Sequence, residues 1–213
     1  MTPIQEKIID DLLDRYGKLD KSKEEIVLAY ELMRQTYKNG GKVLIAGNGG
    51  SAADAEHIVG ELMKGFIKAR KVDSIFGKKL EEIDLEMGKQ LAEKLQGALP
   101  TISLVGHAAL STAYLNDVDP ILGFAQQVNG LGCENDLLLA ISTSGNSKNI
   151  LYAAVVAKAK GMKVIGLTGK DGGRLKRYAD VTIVADEQET YRIQELHLPI
   201  YHSLCLLLEE EFF

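Results

Sequence analysis

Apolar residues follow two different spacings along the chain, and the change between them predicts its secondary structure. Five short runs rich in Val, Ile and Leu are typical of buried parallel strands; they lie at 43–45, 101–105, 136–141, 162–167 and 181–185. Between these runs apolar residues recur every three or four positions, as in helices, and the longest such stretch is 189–211. The alternation predicts an α/β fold: a doubly wound, mainly parallel five-stranded sheet flanked by helices.

Two predicted helices, at 3–18 and 23–38, precede the first strand. Each carries apolar residues at helical spacing, namely Ile4, Ile8, Leu12 and Tyr16 in the first and Ile26, Ala29, Leu32, Met33 and Tyr37 in the second. We expect this pair, residues 1–39, either to cap the sheet or to form an oligomer interface. The whole chain, 1–213, is expected to be a single domain.

A charged stretch at about 67–97 interrupts the alternation. Leu80, Ile83, Leu85, Met87 and Leu91 give part of it helical character, and its many charges indicate a solvated face. The pattern is compatible with a lid over a site, but a surface insertion is the favoured interpretation.

Composition and charge narrow the class of protein. A hydrophobic fraction of 46% and a charged fraction of 26% are ordinary for a globular domain, and the net charge of −5 argues against a nucleic-acid partner. No apolar segment reaches membrane-spanning length and no leader pattern is present, so we expect a cytoplasmic protein without a membrane partner. Cys133 and Cys205 form no CxxC pair and are expected to be buried thiols rather than a disulfide.

The stretch after the first strand has the pattern of an anion site. Gly47, Asn48, Gly49 and Gly50 form a turn in which the backbone can approach a ligand. Ser51 is predicted to cap the helix that follows, whose first turn offers free N–H groups and the positive end of the helix dipole. A helix that merely packs close to a strand has the same pattern, so the turn alone does not establish a phosphate site.

Two helices carry candidate proton-transfer groups. His57 and Glu61 stand four residues apart on the helix after the glycine turn and therefore share a face. On the last helix, Gln194 and His202 stand eight residues apart and lie on the same side. His197 lies off that side and is expected in the core or in an interface.

A second loop, Ser142-Thr143-Ser144-Gly145-Asn146-Ser147, follows the third strand. Its hydroxyl groups and the helix N-terminus after it suit a phosphate monoester, and a serine-rich capped loop is the alternative. Phosphate is favoured because open α/β sheets bind ligands at the carboxyl ends of their strands. The acidic segment 116–120 fits a ligand-facing segment and an ordinary turn equally well.

Four segments together resemble a known family. GNGGSAADAEH, LAISTSGNSKN, GLTGKDGG and RIQELH are similar to the sugar isomerase (SIS) domain and, within it, to the phosphoheptose isomerases. The resemblance implies a flavodoxin-like SIS fold, a homotetramer with shared active sites and a sugar phosphate substrate. The implied reaction is the aldose–ketose isomerisation of sedoheptulose 7-phosphate to D-glycero-D-manno-heptose 7-phosphate through an enediol(ate).

The resemblance also implies roles for individual residues. Glu61 and His202 match the catalytic pair. The matches to the substrate-binding positions are Asn48, Gly49, Gly50, Ser51, Glu61, Asn116, Asp117, Ser142, Thr143, Ser144, Ser147 and Gln194. Several members hold zinc with the residues that match His57, Glu61, Gln194 and His202, a donor set that is chemically reasonable for this ion.

Three features depart from the family pattern and bear on the identity of the sugar. The stretch at 67–97 has no counterpart in the shorter members, and Gly65 stands where an arginine often follows the glutamate. Tyr191 replaces an aspartate that often precedes the helix glutamine by three residues.

The rival function is a non-catalytic SIS protein that senses a sugar phosphate or binds a protein partner, as a family member that associates with a replication initiator does. The family member of this non-catalytic type lacks the residues equivalent to the catalytic glutamate and histidine. This chain retains both, as Glu61 and His202, which favours the enzyme.

Overall fold

The computed structural model describes residues 1–213 and contains one open sheet of five parallel strands. The strands are β1 (Val43–Ala46), β2 (Thr101–Ser103), β3 (Leu137–Ser142), β4 (Lys163–Gly169) and β5 (Val181–Ala185). Their order is β2-β1-β3-β4-β5, and every neighbouring pair is parallel. The predicted fold class is confirmed. β1 and β3 are neighbours, so the loops that follow them open at the same edge of the sheet.

Nine α-helices surround the sheet. They are α1 (Pro3–Arg15), α2 (Lys23–Lys38), α3 (Gly50–Met63), α4 (Ser74–Ile83), α5 (Leu85–Lys94), α6 (Ala108–Asp117), α7 (Gly123–Leu131), α8 (Lys148–Ala159) and α9 (Thr190–Phe212). Three short 3₁₀ segments lie at Gly17–Ser22, Pro120–Leu122 and Gly173–Arg177. None of the helices is long and apolar enough to span a membrane.

The sheet separates two apolar cores. The larger one joins β-strand residues to α1, α2, α3 and α9, and the smaller one joins the other face of the sheet to α7 and α8. Because β1 and β3 are buried on both faces, all their residues are apolar apart from Ser142. Helix α9 lies between α1, α2 and α3, which brings its side chains beside those of α3.

The N-terminal helix pair caps one face of the sheet. The Ser22 hydroxyl donates to the Val184 carbonyl at 2.7 Å, and α2 packs on β5 and α9. The first helix ends at Arg15, three residues earlier than predicted, because a 3₁₀ segment forms the connection to α2. Ile4, part of the predicted stripe, is 56% exposed.

The charged stretch forms a helical hairpin on the surface. Helices α4 and α5 pack mainly on each other, and the small residues Gly77 and Gly88 allow their close approach. Of the five predicted apolar positions only Leu80 is half-buried. The other four remain exposed: Ile83, Leu85, Met87 and Leu91.

Neither cysteine forms a disulfide. Cys205 is buried in α9, as expected, but the expectation of a buried thiol is wrong for Cys133, which is exposed. Cys133 lies in the turn between α7 and β3, where its backbone N–H donates to the Asp136 carboxylate at 2.7 Å.

Candidate active site

The turn between β1 and α3 opens at the carboxyl edge of the sheet. Gly49 has φ +55°, a conformation that favours glycine, and a side chain at Gly47 would meet the Ser51 carbonyl oxygen at 2.2 Å. The helix begins at Gly50 with Gly49 as its N-cap, so the predicted Ser51 cap is wrong. The positive φ of Gly49 lets the chain enter the helix two residues earlier, which places Ser51, a buried residue, in the first turn.

The hydroxyl-rich loop lies beside this turn, after β3. The Ser142 hydroxyl donates to the Ser147 hydroxyl at 3.0 Å, and Ser147 is the N-cap residue of α8 without using its side chain as a cap. Gly145 has φ +62°, and a side chain there would meet the Gly172 carbonyl oxygen at 1.9 Å. The loop is therefore tightly folded against its neighbour, and the first N–H groups of α8 have no acceptor within the helix.

A pair of side-chain amides joins the two loops. Asn48 donates to Asn149 at 3.0 Å, and Asn149 donates back to Asn48 at 2.8 Å. The sequence did not single out Asn149, because a lone Asn in the first turn of a helix carries no chemical signal.

The two loops enclose a cleft of about 400 Å³. Gln194 of α9 reaches across it, since a side chain at Gly50 would come within 2.6 Å of the Gln194 amide nitrogen. The cleft is lined by Asn48, Gly49, Gly50, Ser51, Ile141, Ser142, Thr143, Ser147, Thr190 and Gln194. Most of the predicted loop residues thus lie together in the cleft. Thr190 also lines it, although no pattern in the sequence predicted a role for this residue.

Besides Glu61, three predicted substrate-binding residues lie outside this cleft: Ser144, Asn116 and Asp117. The Ser144 hydroxyl instead accepts from the Asn146 backbone N–H at 3.2 Å. Asn116 and Asp117 lie exposed at the end of α6, where the Asn116 amide donates to the Asp117 carboxylate at 2.7 Å. Helix α6 has no buried residue, so nothing within one chain holds these two side chains towards the loops.

A second group of side chains, the histidine–glutamate cluster, consists of His57, Glu61 and His202. His57 Nε2 lies 3.3 Å from Glu61 Oε1, and the ring centroids of His57 and His202 are 5.0 Å apart. Lys64 also contacts Glu61, with its Nζ atom 3.1 Å from Oε2. The packing of α3 against α9 thus brings the two candidate catalytic residues into one cluster.

Tyr201 and Asp54 support the cluster from behind. The Tyr201 hydroxyl lies 2.9 Å from His57 Nδ1 and 3.4 Å from Asp54 Oδ1. Burial raises the pKa of Asp54, and the Tyr201 hydrogen bond opposes this shift. No sequence pattern pointed to Tyr201, because a Tyr in an apolar helix is usually an ordinary core residue.

The surroundings of His202 favour the neutral form of its ring. Burial lowers the pKa of His202 and His57 lowers it further, while Glu61 acts in the opposite direction. Its Nε2 atom is buried and has no hydrogen-bond partner. A neutral imidazole carries one N–H donor and one acceptor, so His202 can exchange a proton with a ligand.

His197 is a core residue, in line with one of the two expectations. It is fully buried, and its Nε2 lies 3.0 Å from the Thr168 carbonyl oxygen. Burial lowers the pKa of His197 to about 4.

Comparisons with known proteins agree on one family. The profile of the SIS domain matches residues 107–207, and a second profile of the same description matches 9–75. The phosphoheptose isomerase of a Nitratiruptor species is 40% identical over 211 residues, which cover 97% of this chain and 99% of that protein. The chain belongs to the SIS domain family, among the phosphoheptose isomerases.

Further members of the family support this assignment. The phosphoheptose isomerase of Clostridium acetobutylicum is 38% identical over 190 residues, covering 89% of this chain and 84% of that protein. Among solved structures, the phosphoheptose isomerase of Francisella tularensis has a TM-score of 0.75 and 31% identity and covers 99% of this chain and 100% of its own. The corresponding enzyme of Neisseria gonorrhoeae has a TM-score of 0.71 and 32% identity, with coverages of 96% and 99%.

The four residues that the family resemblance implies for zinc converge only in part. Imidazole nitrogens and a carboxylate suit zinc, and the unpartnered His202 Nε2 atom is a free donor beside His57 and Glu61. Gln194, however, lies over Gly50 in the cleft. No group of three or more His, Cys, Asp or Glu side chains is arranged to hold a metal ion. Zinc at this position therefore stays a prediction from the family resemblance.

Proposed function

We propose that this chain isomerises sedoheptulose 7-phosphate to D-glycero-D-manno-heptose 7-phosphate. The observation that carries the proposal is the placement of a phosphate-type cleft and the histidine–glutamate cluster along the same two helices. On α3, Gly50 and His57 are seven residues apart, which corresponds to about 10 Å along a helix. In an extended heptose 7-phosphate, seven single bonds separate phosphorus from C2 and span about 8 Å, at about 1.2 Å per bond. The two spacings differ by only about 2 Å.

The cleft would hold the phosphate. The Ser142, Thr143 and Ser147 hydroxyls line it, and the first turn of α8 supplies free N–H groups and a positive dipole end. Such contacts take no part in the reaction. They orient the sugar, so that the free energy of phosphate binding holds the reacting carbons in place.

The cluster would move the protons. The Glu61 carboxylate takes a proton from C1 of the ketose, and the His202 N–H supports the charge that develops on O2 of the enediol(ate). Return of a proton to C2, and transfer of the hydroxyl proton from O1 to O2, gives the aldose. One hydrogen moves from C1 to C2, so the reaction is balanced without a further reactant.

A homotetramer with shared active sites is part of the proposal. A groove of about 510 Å³ between α1 and α9 ends at His202 and has apolar walls that include Ile4, Ile8, Leu198 and Leu206. Asn116 and Asp117, which match substrate-binding positions of the family, lie outside the cleft of their own chain. In a tetramer, the apolar groove would be covered by a neighbouring chain, and Asn116 and Asp117 would reach the cleft of a neighbouring chain. Cytoplasmic location stays a prediction from the sequence.

Zinc is a separate part of the proposal, and no step above depends on it. Metal analysis of the purified protein tests it directly. Zinc in the parent, reduced in His57→Ala and His202→Asn, would support a bound ion. Absence of zinc from the purified parent, even after incubation with the ion, would contradict it.

A product assay tests the function. The parent is incubated with sedoheptulose 7-phosphate, fructose 6-phosphate and an amino sugar phosphate, and the products are separated and identified. We expect conversion of the heptulose phosphate alone or at the highest rate. Binding of sugar phosphates without any conversion would favour a sensor instead.

A further inference from the structure

A buried ion pair lies behind the histidine–glutamate cluster. The Arg70 guanidinium and the Glu209 carboxylate have side-chain exposures of 0% and 1%, and Arg70 Nε lies 2.8 Å from Glu209 Oε1. Removing two charges from water is costly, and packed apolar side chains often stabilise a fold as well or better. Because stability alone does not explain a buried ion pair, the contacts of this pair beside the cluster indicate a role in holding the cluster's geometry.

Arg70 holds the end of α3 that carries Glu61. Its Nη2 donates to the Glu61 carbonyl oxygen at 3.1 Å and its Nη1 to the Leu62 carbonyl oxygen at 2.9 Å. The last turn of α3 contains no basic residue. The guanidinium thus supplies donors and positive charge to carbonyl groups that the helix itself leaves free.

Glu209 holds the segment that contacts His202. Its carboxylate accepts from three successive backbone N–H groups, those of Phe66 at 2.8 Å, Ile67 at 3.0 Å and Lys68 at 3.2 Å. The Phe66 ring in turn lies 5.3 Å from the His202 ring. The Glu209 carboxylate therefore ties the backbone at 66–68 to helix α9, and this holds the Phe66 ring against His202.

The ion pair is closed off from solvent by the chain end and the base of the hairpin. The Phe213 ring lies 4.7 Å from the Arg70 guanidinium carbon, and the Gly97 N–H donates to the Arg70 carbonyl oxygen at 2.7 Å. Neither Arg70 nor Glu209 lines the phosphate-type cleft.

From these contacts we propose that the Arg70–Glu209 pair positions Glu61 relative to His202 for proton transfer. The proposal rests on the proposed function, since it names those two residues as the groups that move protons. Arg70 and Glu209 act as positioning residues: they touch the backbone of α3 and the segment against His202, not the substrate. Their loss should lower kcat and leave KM nearly unchanged.

Two variants test the pair, and a third is a matched control. Arg70→Lys keeps the charge but cannot reach the carboxylate and both carbonyl oxygens at once. Glu209→Gln keeps the shape but removes the charge. The control is Asp136→Asn, because Asp136 is 3% exposed and also accepts two backbone N–H groups and a cation, Lys42. Asp136 precedes β3 and so lies at the opposite edge of the sheet.

The first readout is steady-state kinetics with sedoheptulose 7-phosphate, with thermal unfolding of each variant. Small misplacements of reacting groups cost up to about 100-fold in rate. We therefore expect kcat of Arg70→Lys and Glu209→Gln to fall about 10- to 100-fold. Asp136→Asn should keep the parent kcat even if it unfolds at a similarly reduced temperature. Equal kcat values for Arg70→Lys, Glu209→Gln and the control would overturn the proposal.

The second readout does not need activity. The chain has four histidines, so the imidazole resonances can be assigned by single His→Gln variants. Arg70→Lys and Glu209→Gln should shift the His57 and His202 resonances and leave the exposed His107 unchanged, whereas Asp136→Asn should move none of these three. If the parent converts no sugar phosphate, the proposed function fails, and these resonances alone decide on the positioning role. Unshifted His57 and His202 signals in both variants would overturn it.

Discussion

At the scale of single residues, neighbouring serines of one loop have different surroundings. Ser142 and Ser147 line the cleft and bond to each other, while Ser144 bonds to its own loop. The sequence could not separate them, because all three match the hydroxyl-rich pattern equally. The loop turns at Gly145, which has a positive φ and lies close to Gly172, and this fold decides which hydroxyls face the cleft.

Ser147→Ala should therefore weaken substrate binding, and Ser144→Ala should not. A hydrogen bond to a charged acceptor contributes about 1.5–3 kcal/mol, which corresponds to about a tenfold to hundredfold loss of affinity. Calorimetric titration with sedoheptulose 7-phosphate measures both variants. Equal affinities of the two variants would show that Ser147 does not bind the phosphate.

The amide pair between the loops gives another test at this scale. Asn149→Ala removes both hydrogen bonds to Asn48 without replacing a residue that lines the cleft. We expect weaker binding, because the glycine turn loses its link to the hydroxyl loop. The same titration measures the loss; unchanged affinity would mean that the turn holds its position alone.

At the scale of elements, α9 connects most of the site. It supplies Gln194 to the cleft, His202 to the cluster and Glu209 to the ion pair, and its end is anchored by Glu211. Glu211 accepts hydrogen bonds from Gln5, Tyr30 and Arg34, which lie on α1 and α2. This single carboxylate joins three helices around the larger core.

The anchor should make stability depend on pH. Hydrogen bonding to Lys38, together with that to Arg34, lowers the pKa of Glu211 to about 2 from its ordinary 4.5. Since the folded state lowers the pKa of this acid, its contribution to stability is complete above about pH 4.5 and is lost as the pH falls towards 2. Glu211→Gln should be less stable than the parent at pH 7, and the difference should shrink towards pH 2.

Urea unfolding at several pH values measures this difference. Asp11→Asn is the control, because Asp11 forms only an exposed pair with Arg15. A constant difference between Glu211→Gln and the parent across this range would contradict the role of the anchor.

How far the sequence predicts the elements depends on what fixes each one. The strands, α3, α8 and α9 are predicted because local apolar patterns and glycine turns determine them. The hairpin of α4 and α5 was harder, since its packing depends on close approach at Gly77 and Gly88 rather than on an apolar stripe. Arg70 was missed because it sits in a charged stretch, where a cation is expected to be solvated; its burial depends on Glu209, distant in sequence.

At the scale of the whole molecule, one chain leaves apolar surface and one helix without cover. Leu28, Leu115, Val118 and Leu198 are each at least 40% exposed, and α6 buries no residue. Surfaces of this kind are typical of protein–protein contacts. We expect a homo-oligomer, and light scattering of the purified protein measures its mass. A stable monomer at micromolar concentration would contradict this prediction and the shared active site.

Glu61 is the proposed base that takes a proton from the sugar, and a single comparison tests this role. The parent and Glu61→Gln are assayed side by side for turnover of sedoheptulose 7-phosphate, with metal content measured in the same samples. Glutamine keeps the size of the side chain but cannot act as the base, so turnover should fall by about 100-fold or more while binding survives. Equal turnover by the two proteins would contradict the role of Glu61 as the base.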